Sequence, residues 1–146
     1  MLKAFMVNIK SKRKEEGILD NIAEVFEGIR AESERGAIIA VEGKNDERIL
    51  RLLGIKGKII RYSEMGRIRA TNEVEDAWSR KLIILTDFDR EGEKILESIE
   101  RTSHSNGINI DKCLRKRLFE AARPYTSSIE GFERIADRVM NRRAIL

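Results

Sequence analysis

A chain of 146 residues that is 41% hydrophobic holds material for one core and is short for two, and its formal charge of +4 within 37% charged residues makes it mildly basic, compatible with nucleic acid without demanding it. No apolar run approaches the roughly 18 residues that span a bilayer. The short apolar stretch at residues 1–9 runs into the basic run at residues 10–14 with no small-residue cleavage pattern, and the single cysteine, Cys113, excludes a disulfide framework or a cysteine-based zinc site, so a cytoplasmic protein without a membrane role is expected.

In chain order, residues 1–9 offer Phe5, Met6, Val7 and Ile9 as a short strand or an apolar tail packed elsewhere. Over residues 12–35, Ile18, Leu19, Ile22, Val25, Phe26 and Ile29 recur at helical spacing and predict an amphipathic helix, with Gly17 and Gly28 arguing against an unbroken one. The uninterrupted apolar run at 37–41 reads as a strand. It ends in Glu42, Gly43, Lys44, Asn45 and Asp46, a tight turn, before Ile49, Leu50, Leu52 and Leu53 take up a helix with Gly54 as its C-cap. Residues 58–63 give a second strand through Ile59 and Ile60, and the connection after it holds a short helix at 72–78.

A third strand at 82–85 is apolar at every position, as a parallel strand covered on both faces would be. It delivers Asp87, Asp89 and Glu91 into the start of a helix carrying Ile95, Leu96 and Ile99. Asn106 and Gly107 form a turn before a fourth strand at 108–110. Residues 112–123 hold Lys112, Arg115, Lys116, Arg117 and Arg123 against the single acid Glu120, with Leu114, Leu118 and Phe119 as a packing face. The expectation is a helix with one side on the domain and one on a polyanion, and Cys113 reads as a core or boundary residue. Pro124 breaks the pattern, and a last helix at 128–140 starts with Ser127 or Ser128 as N-cap and Glu130 in its first turn. Arg134, Arg138 and Arg142 recur along it and read as a solvated stripe, and the lone His104 as a surface residue.

Alternating strands and helices imply right-handed crossovers and a mostly parallel sheet, whose strand carboxyl ends share one edge. Glu42 would then face the same rim as Asp87 and Asp89. Carboxylates about 4 Å apart repel by roughly 4 kcal/mol at an effective dielectric near 20, so several can stay ionised together only around a cation. Mg2+ suits an all-oxygen set. Against this stands the plainer reading, in which an Asp in a strand-to-helix turn caps the helix.

The segments VEGKND and TDFDREGEKI resemble the two signature motifs of the Toprim domain, shared by topoisomerases, bacterial-type primases, recombination mediators and several nucleases. The second is very similar to the TDxDREGE of type IA topoisomerases, whereas the size and the basic helix look more like RNA maturation nucleases and small stand-alone archaeal Toprim proteins. The resemblance covers residues 35–122 and implies a Rossmann-like α/β fold with about four mostly parallel strands between helices. A helical extension at 1–34 and a C-terminal helical segment at 123–146 complete one compact domain.

The resemblance further implies Mg2+, or Mn2+ in its place, held by Glu42, Asp87, Asp89 and Glu91. Glu42 would be the general acid or base, with Asp87 and Asp89 in the catalytic set. Lys44, Arg90, Arg115, Lys116 and Arg117 are the candidate nucleic-acid contacts. Tyr62 and Tyr125 are the only tyrosines and neither sits in a cleavage-domain context, so strand passage is not expected. The implied activity is that of a Mg2+-dependent nuclease or phosphotransferase on RNA or DNA. The alternative is a non-catalytic binding or scaffold subunit, and either reading accommodates a homodimer or a larger complex.

Overall fold

The computed structural model describes residues 2–65, 81–104 and 108–143. A single helix, α1 (Leu2–Glu34), opens the chain. The stretch expected as a strand or tail is therefore its first two turns, and both interior glycines are accommodated. Gly17 is exposed with nothing close to it, and Gly28 faces the Leu114 side chain at 3.8 Å, so each costs only about the 1 kcal/mol of a helical glycine. The helix stops in a Schellman motif, with Gly36 at φ 101° and the Ala37 N–H donating to Glu32 O.

Strand β1 (Ile38–Val41) leads into α2 (Lys44–Leu52), which ends in the same motif at Gly54, as predicted, with φ 84° and an Ile55 N–H to Leu50 O bond. Then come β2 (Ile59–Arg61), a 3-10 turn, β3 (Lys81–Ile84), α3 (Arg90–His104), β4 (Asn109–Asp111) and α4 (Cys113–Ala122). The last segment is not one helix from 128 to 140. A 3-10 helix (Glu130–Ile135) precedes α5 (Ala136–Arg143). The short helix expected at 72–78 lies outside the described residues. Cys113 is exposed at the first turn of α4, not in the core.

The sheet is parallel throughout, in the order β2-β1-β3-β4, so the α/β class and the four parallel strands between helices are as expected. Each central strand is buried on both faces. Ile39, Val41, Ile83 and Leu85 point into a core shared with α1, α2, α4 and the C-terminal segment, while Ile38, Ala40, Leu82 and Ile84 meet Leu96 and Ile99 of α3 on the other side. This explains the absence of alternation in both runs. From β1 the chain steps outward to β2 and then back across to β3. That reversal makes the carboxyl ends of β1 and β3 the topological switch point of the sheet.

Helix α1 lies along α4 and α5 and closes the larger core. Phe132 is fully buried there, edge-on to Phe26 at 5.2 Å and tilted to Phe119 at 6.1 Å. Among the described residues no helix is long and apolar enough to cross a membrane. Phe132→Ala should lower stability by about 3–5 kcal/mol in urea unfolding, since the ring leaves a cavity that three helices line. Leu52→Ala, at a position 50% exposed, should stay within about 0.5 kcal/mol.

Candidate functional site at the carboxyl edge of the sheet

Strands β1 and β3 are direct neighbours, with Ala40 paired to Ile84, so the residues that follow them leave the sheet side by side. Glu42 Oε1 accepts the backbone N–H of Asp87 at 3.0 Å, which ties the two turns together. Asp46, one helical turn beyond Glu42, completes the group. One carboxylate oxygen from each of Glu42, Asp46 and Asp87 lies within 4.8 Å of the others. Three converged carboxylates form a donor set suited to a hard divalent cation.

All three acids have pKa values raised from their ordinary ones, and partial burial is the first cause in each. Mutual repulsion adds to it: Asp87 and Asp46 act on Glu42, Asp87 on Asp46, and Asp89 and Glu130 on Asp87. Backbone donors work in the opposite direction. The Ile129 N–H reaches Asp87 Oδ1 at 2.9 Å, and the Gly43 N–H reaches Asp46 Oδ2 at 3.3 Å.

The other acids of the third-strand motif part company at the helix start. Asp89 Oδ1 accepts the Gly92 N–H at 2.7 Å and is the N-cap of α3, as the plainer reading of that motif had it. It remains close enough to act electrostatically on Glu42 and Asp87. Glu91 is exposed in the first turn of α3 and is not part of the converged group. Gly92 is required where it stands, because a Cβ there would meet Asp87 O at 1.8 Å.

Of the candidate cations, Lys44 and Arg90 are exposed at the first positions of α2 and α3, beside the acids. Lys116 and Arg117 are exposed on α4, Lys116 lying 4.0 Å from Glu120. Arg115, expected to face a polyanion, does not. It is 4% exposed, and its guanidinium donates to Thr86 O at 2.9 Å, Asp87 O at 2.6 Å and Glu93 Oε1 at 2.8 Å. It is a support beneath the turn after β3. The arginine stripe stays at the surface, as expected, but is paired within the chain: Arg134 donates to Tyr125 O, Arg138 to Glu15, and Arg142 to Glu16 and Asp20.

Sequence reasoning missed Asp46, the supporting role of Arg115 and the whole contribution of the segment after Pro124, which gives Ile129 N–H to Asp87 and Ser127 O to the Phe88 N–H at 2.7 Å. Only Asp46 left a signal. Its spacing from Glu42 places it one helical turn on, and an acid at the third helical position after Gly43 is a capping-box pattern.

A parallel α/β sheet with acidic side chains at its topological switch point defines the class of protein. No family model matches the chain. It is 28% identical over 116 residues to a UPF0292 protein of Archaeoglobus fulgidus, covering 80% of this chain and 90% of that one. It is 30% identical over 133 residues to a UPF0292 protein of Pyrococcus horikoshii, covering 90% of each. A third, from Methanocaldococcus jannaschii, is 31% identical over 68% of this chain and 77% of its own. The chain belongs to the UPF0292 family. A solved structure of a protein from Aquifex aeolicus is similar over 66% of this chain and 87% of that one, with a TM-score of 0.54 and 29% identity.

Two measurements check this geometry. A carboxyl whose pKa is raised by folding holds its proton more tightly in the folded chain, so stability rises as pH falls through the raised value and levels off below the ordinary value of about 4. In chelator, the contribution of these acids to stability should therefore grow as pH falls from 7 toward the ordinary carboxylate value of about 4, and Asp46→Asn should be more stable than wild type at pH 7 with a flatter profile. Arg115→Met should cost about 2–6 kcal/mol in denaturant unfolding, because Thr86 O and Asp87 O are left without their donor at about 1–3 kcal/mol each.

Proposed function

We propose that this protein is a Mg2+-dependent enzyme acting on nucleic acid phosphodiesters, a nuclease of the RNA maturation type or a related phosphotransferase, with Mn2+ able to replace Mg2+. The observation that carries this reading is the convergence of Glu42, Asp46 and Asp87 within 4.8 Å at the switch point of the sheet. The Toprim resemblance supports it, since Glu42 and Asp87 are two of the four acids it points to, Asp89 and Glu91 being the others. Burial and repulsion leave the three acids reluctant to be charged together, and a cation relieves that.

Asp46 and Asp87 are the ligands in this scheme, with Asp89 just outside them. When bound, the cation supplies charge neutralisation at a phosphodiester oxygen. Glu42, whose pKa burial raises above its ordinary value, is the proton carrier in this scheme; one of its oxygens is fixed by the Asp87 N–H, and the other gives or takes the proton. Lys44 and Arg90 bring positive charge to the same rim, and they stand on the N-terminal ends of α2 and α3, where helix dipoles favour phosphate.

A second reading, a non-catalytic nucleic-acid-binding or scaffold subunit, draws on a different observation: Asp46, Asp87 and Asp89 each accept a backbone N–H and so also serve the fold. Labelled structured RNA, single-stranded RNA and DNA incubated with Mg2+ and with chelator separate the two. The enzyme reading expects metal-dependent products, reduced about 10²-fold or more by Glu42→Gln and lost in Asp87→Asn, with both variants folded. No metal-dependent product from any substrate would transfer the assignment to the scaffold.

A further inference from the structure

The first turns of α1 carry Lys3, Lys10, Lys12, Arg13 and Lys14 and no acid. All five are exposed, and among the described residues none has an ion-pair partner. The acids that follow on the same helix do have partners: Glu15 takes Arg138, and Glu16 and Asp20 take Arg142. Intramolecular pairing thus stops at Glu15 and leaves a helical segment of unbroken positive charge. At 100° per residue, Lys3, Lys10 and Lys14 fall within about 40° of one another, a single stripe about 16 Å long.

The position of this segment follows from the fold. Helix α1 ends at Glu34 beside the start of β1, so its C-terminal end lies at the amino edge of the sheet and its N-terminal half runs toward the carboxyl edge. The rise from Glu15 to Glu34 is about 28 Å, against about 13 Å for a strand of four residues, so residues before Glu15 extend past the sheet. Side-chain contacts agree. Glu15 pairs with Arg138 and acts electrostatically on Tyr125, and the segment just after Tyr125 gives Ser127 O to Phe88 and Ile129 N–H to Asp87. The basic stripe and the acidic rim are therefore on the same edge of the molecule.

We propose that Lys3, Lys10 and Lys14 on the projecting half of α1 hold the phosphate backbone of the nucleic acid whose reacting segment lies at the Glu42, Asp46 and Asp87 rim. A duplex presents a charge about every 1.7 Å of its axis, so a stripe about 16 Å long meets several phosphates at once, without reading sequence. The choice of nucleic acid over an anionic membrane rests on the phosphodiester reading of the rim.

The test uses the full chain in chelator and reads binding of a labelled single-stranded RNA, a duplex, and vesicles of anionic or zwitterionic lipid from about 50 to about 300 mM salt. The variant Lys3→Gln/Lys10→Gln/Lys14→Gln keeps helix-forming residues and is compared with Lys116→Gln/Arg117→Gln. Loss of three phosphate contacts should reduce the slope of log affinity against log salt by about 2 for the single strand and about 3 for the duplex, with a smaller change in the α4 variant. An unchanged slope, an equal loss in both variants, or wild-type binding to anionic vesicles but not to nucleic acid would overturn the proposal. Because binding is read without metal, absent cleavage with the expected slope change defeats the phosphodiesterase reading alone. Intact cleavage with an unchanged slope defeats this one alone.

Discussion

A buried guanidinium under the turn after β3 decides where the Asp87 carboxylate goes. Arg115 reaches up from α4 to the carbonyls of Thr86 and Asp87, which leave the sheet with no strand partner, and its charge opposes the burial that raises the Asp87 pKa. Phe88 lies over it, 5.0 Å from ring centre to guanidinium carbon, and stacks on Phe119 of the same helix. A buried Thr86 carbonyl and a part-buried Asp87 carbonyl without a donor would be costly beside a core of apolar side chains. The strand brings the acid to the rim, and the helix beneath it sets the angle.

The same division runs through what the sequence disclosed. Unbroken apolar runs at 38–41 and 82–85, each followed by acids, were enough to place Glu42 and Asp87 on one edge, because in a parallel sheet strand ends share a side. Asp87, Asp89 and Glu91 stand at intervals of two, and the structure separates them. That spacing keeps side chains on one face only in a strand, and a helix starts within it, so Asp89 turns back to cap Gly92 and Glu91 turns out. Asp46 was passed over as turn polarity, although helical periodicity carries it back over Glu42.

What was not legible was contributed by residues distant in sequence. Nothing local to Arg115 distinguishes a buried structural arginine from its exposed neighbours Lys116 and Arg117, since the difference lies in the phase of α4 against the sheet. Nothing local to Arg138 or Arg142 predicts that they would find Glu15, Glu16 and Asp20 on a helix at the other end of the chain. Exposed pairs of this kind contribute little energy individually. Their effect is to fix the register of α1 against α5, and so which part of α1 stands clear of the domain.

That arrangement also orders events in time. The apolar stripe of α1, from Leu19 to Ile29, is made before the sheet and is covered by residues of α4, the 3-10 helix and α5, which are made after it. The sheet can pair before then, but its larger face has no lid until residue 132 supplies the ring that locks Phe26. High sequence separation between partners slows folding, and an uncovered stripe in the meantime invites association with other chains. During synthesis helix α1 is thus the part most dependent on a chaperone or on rapid addition of α4 and α5.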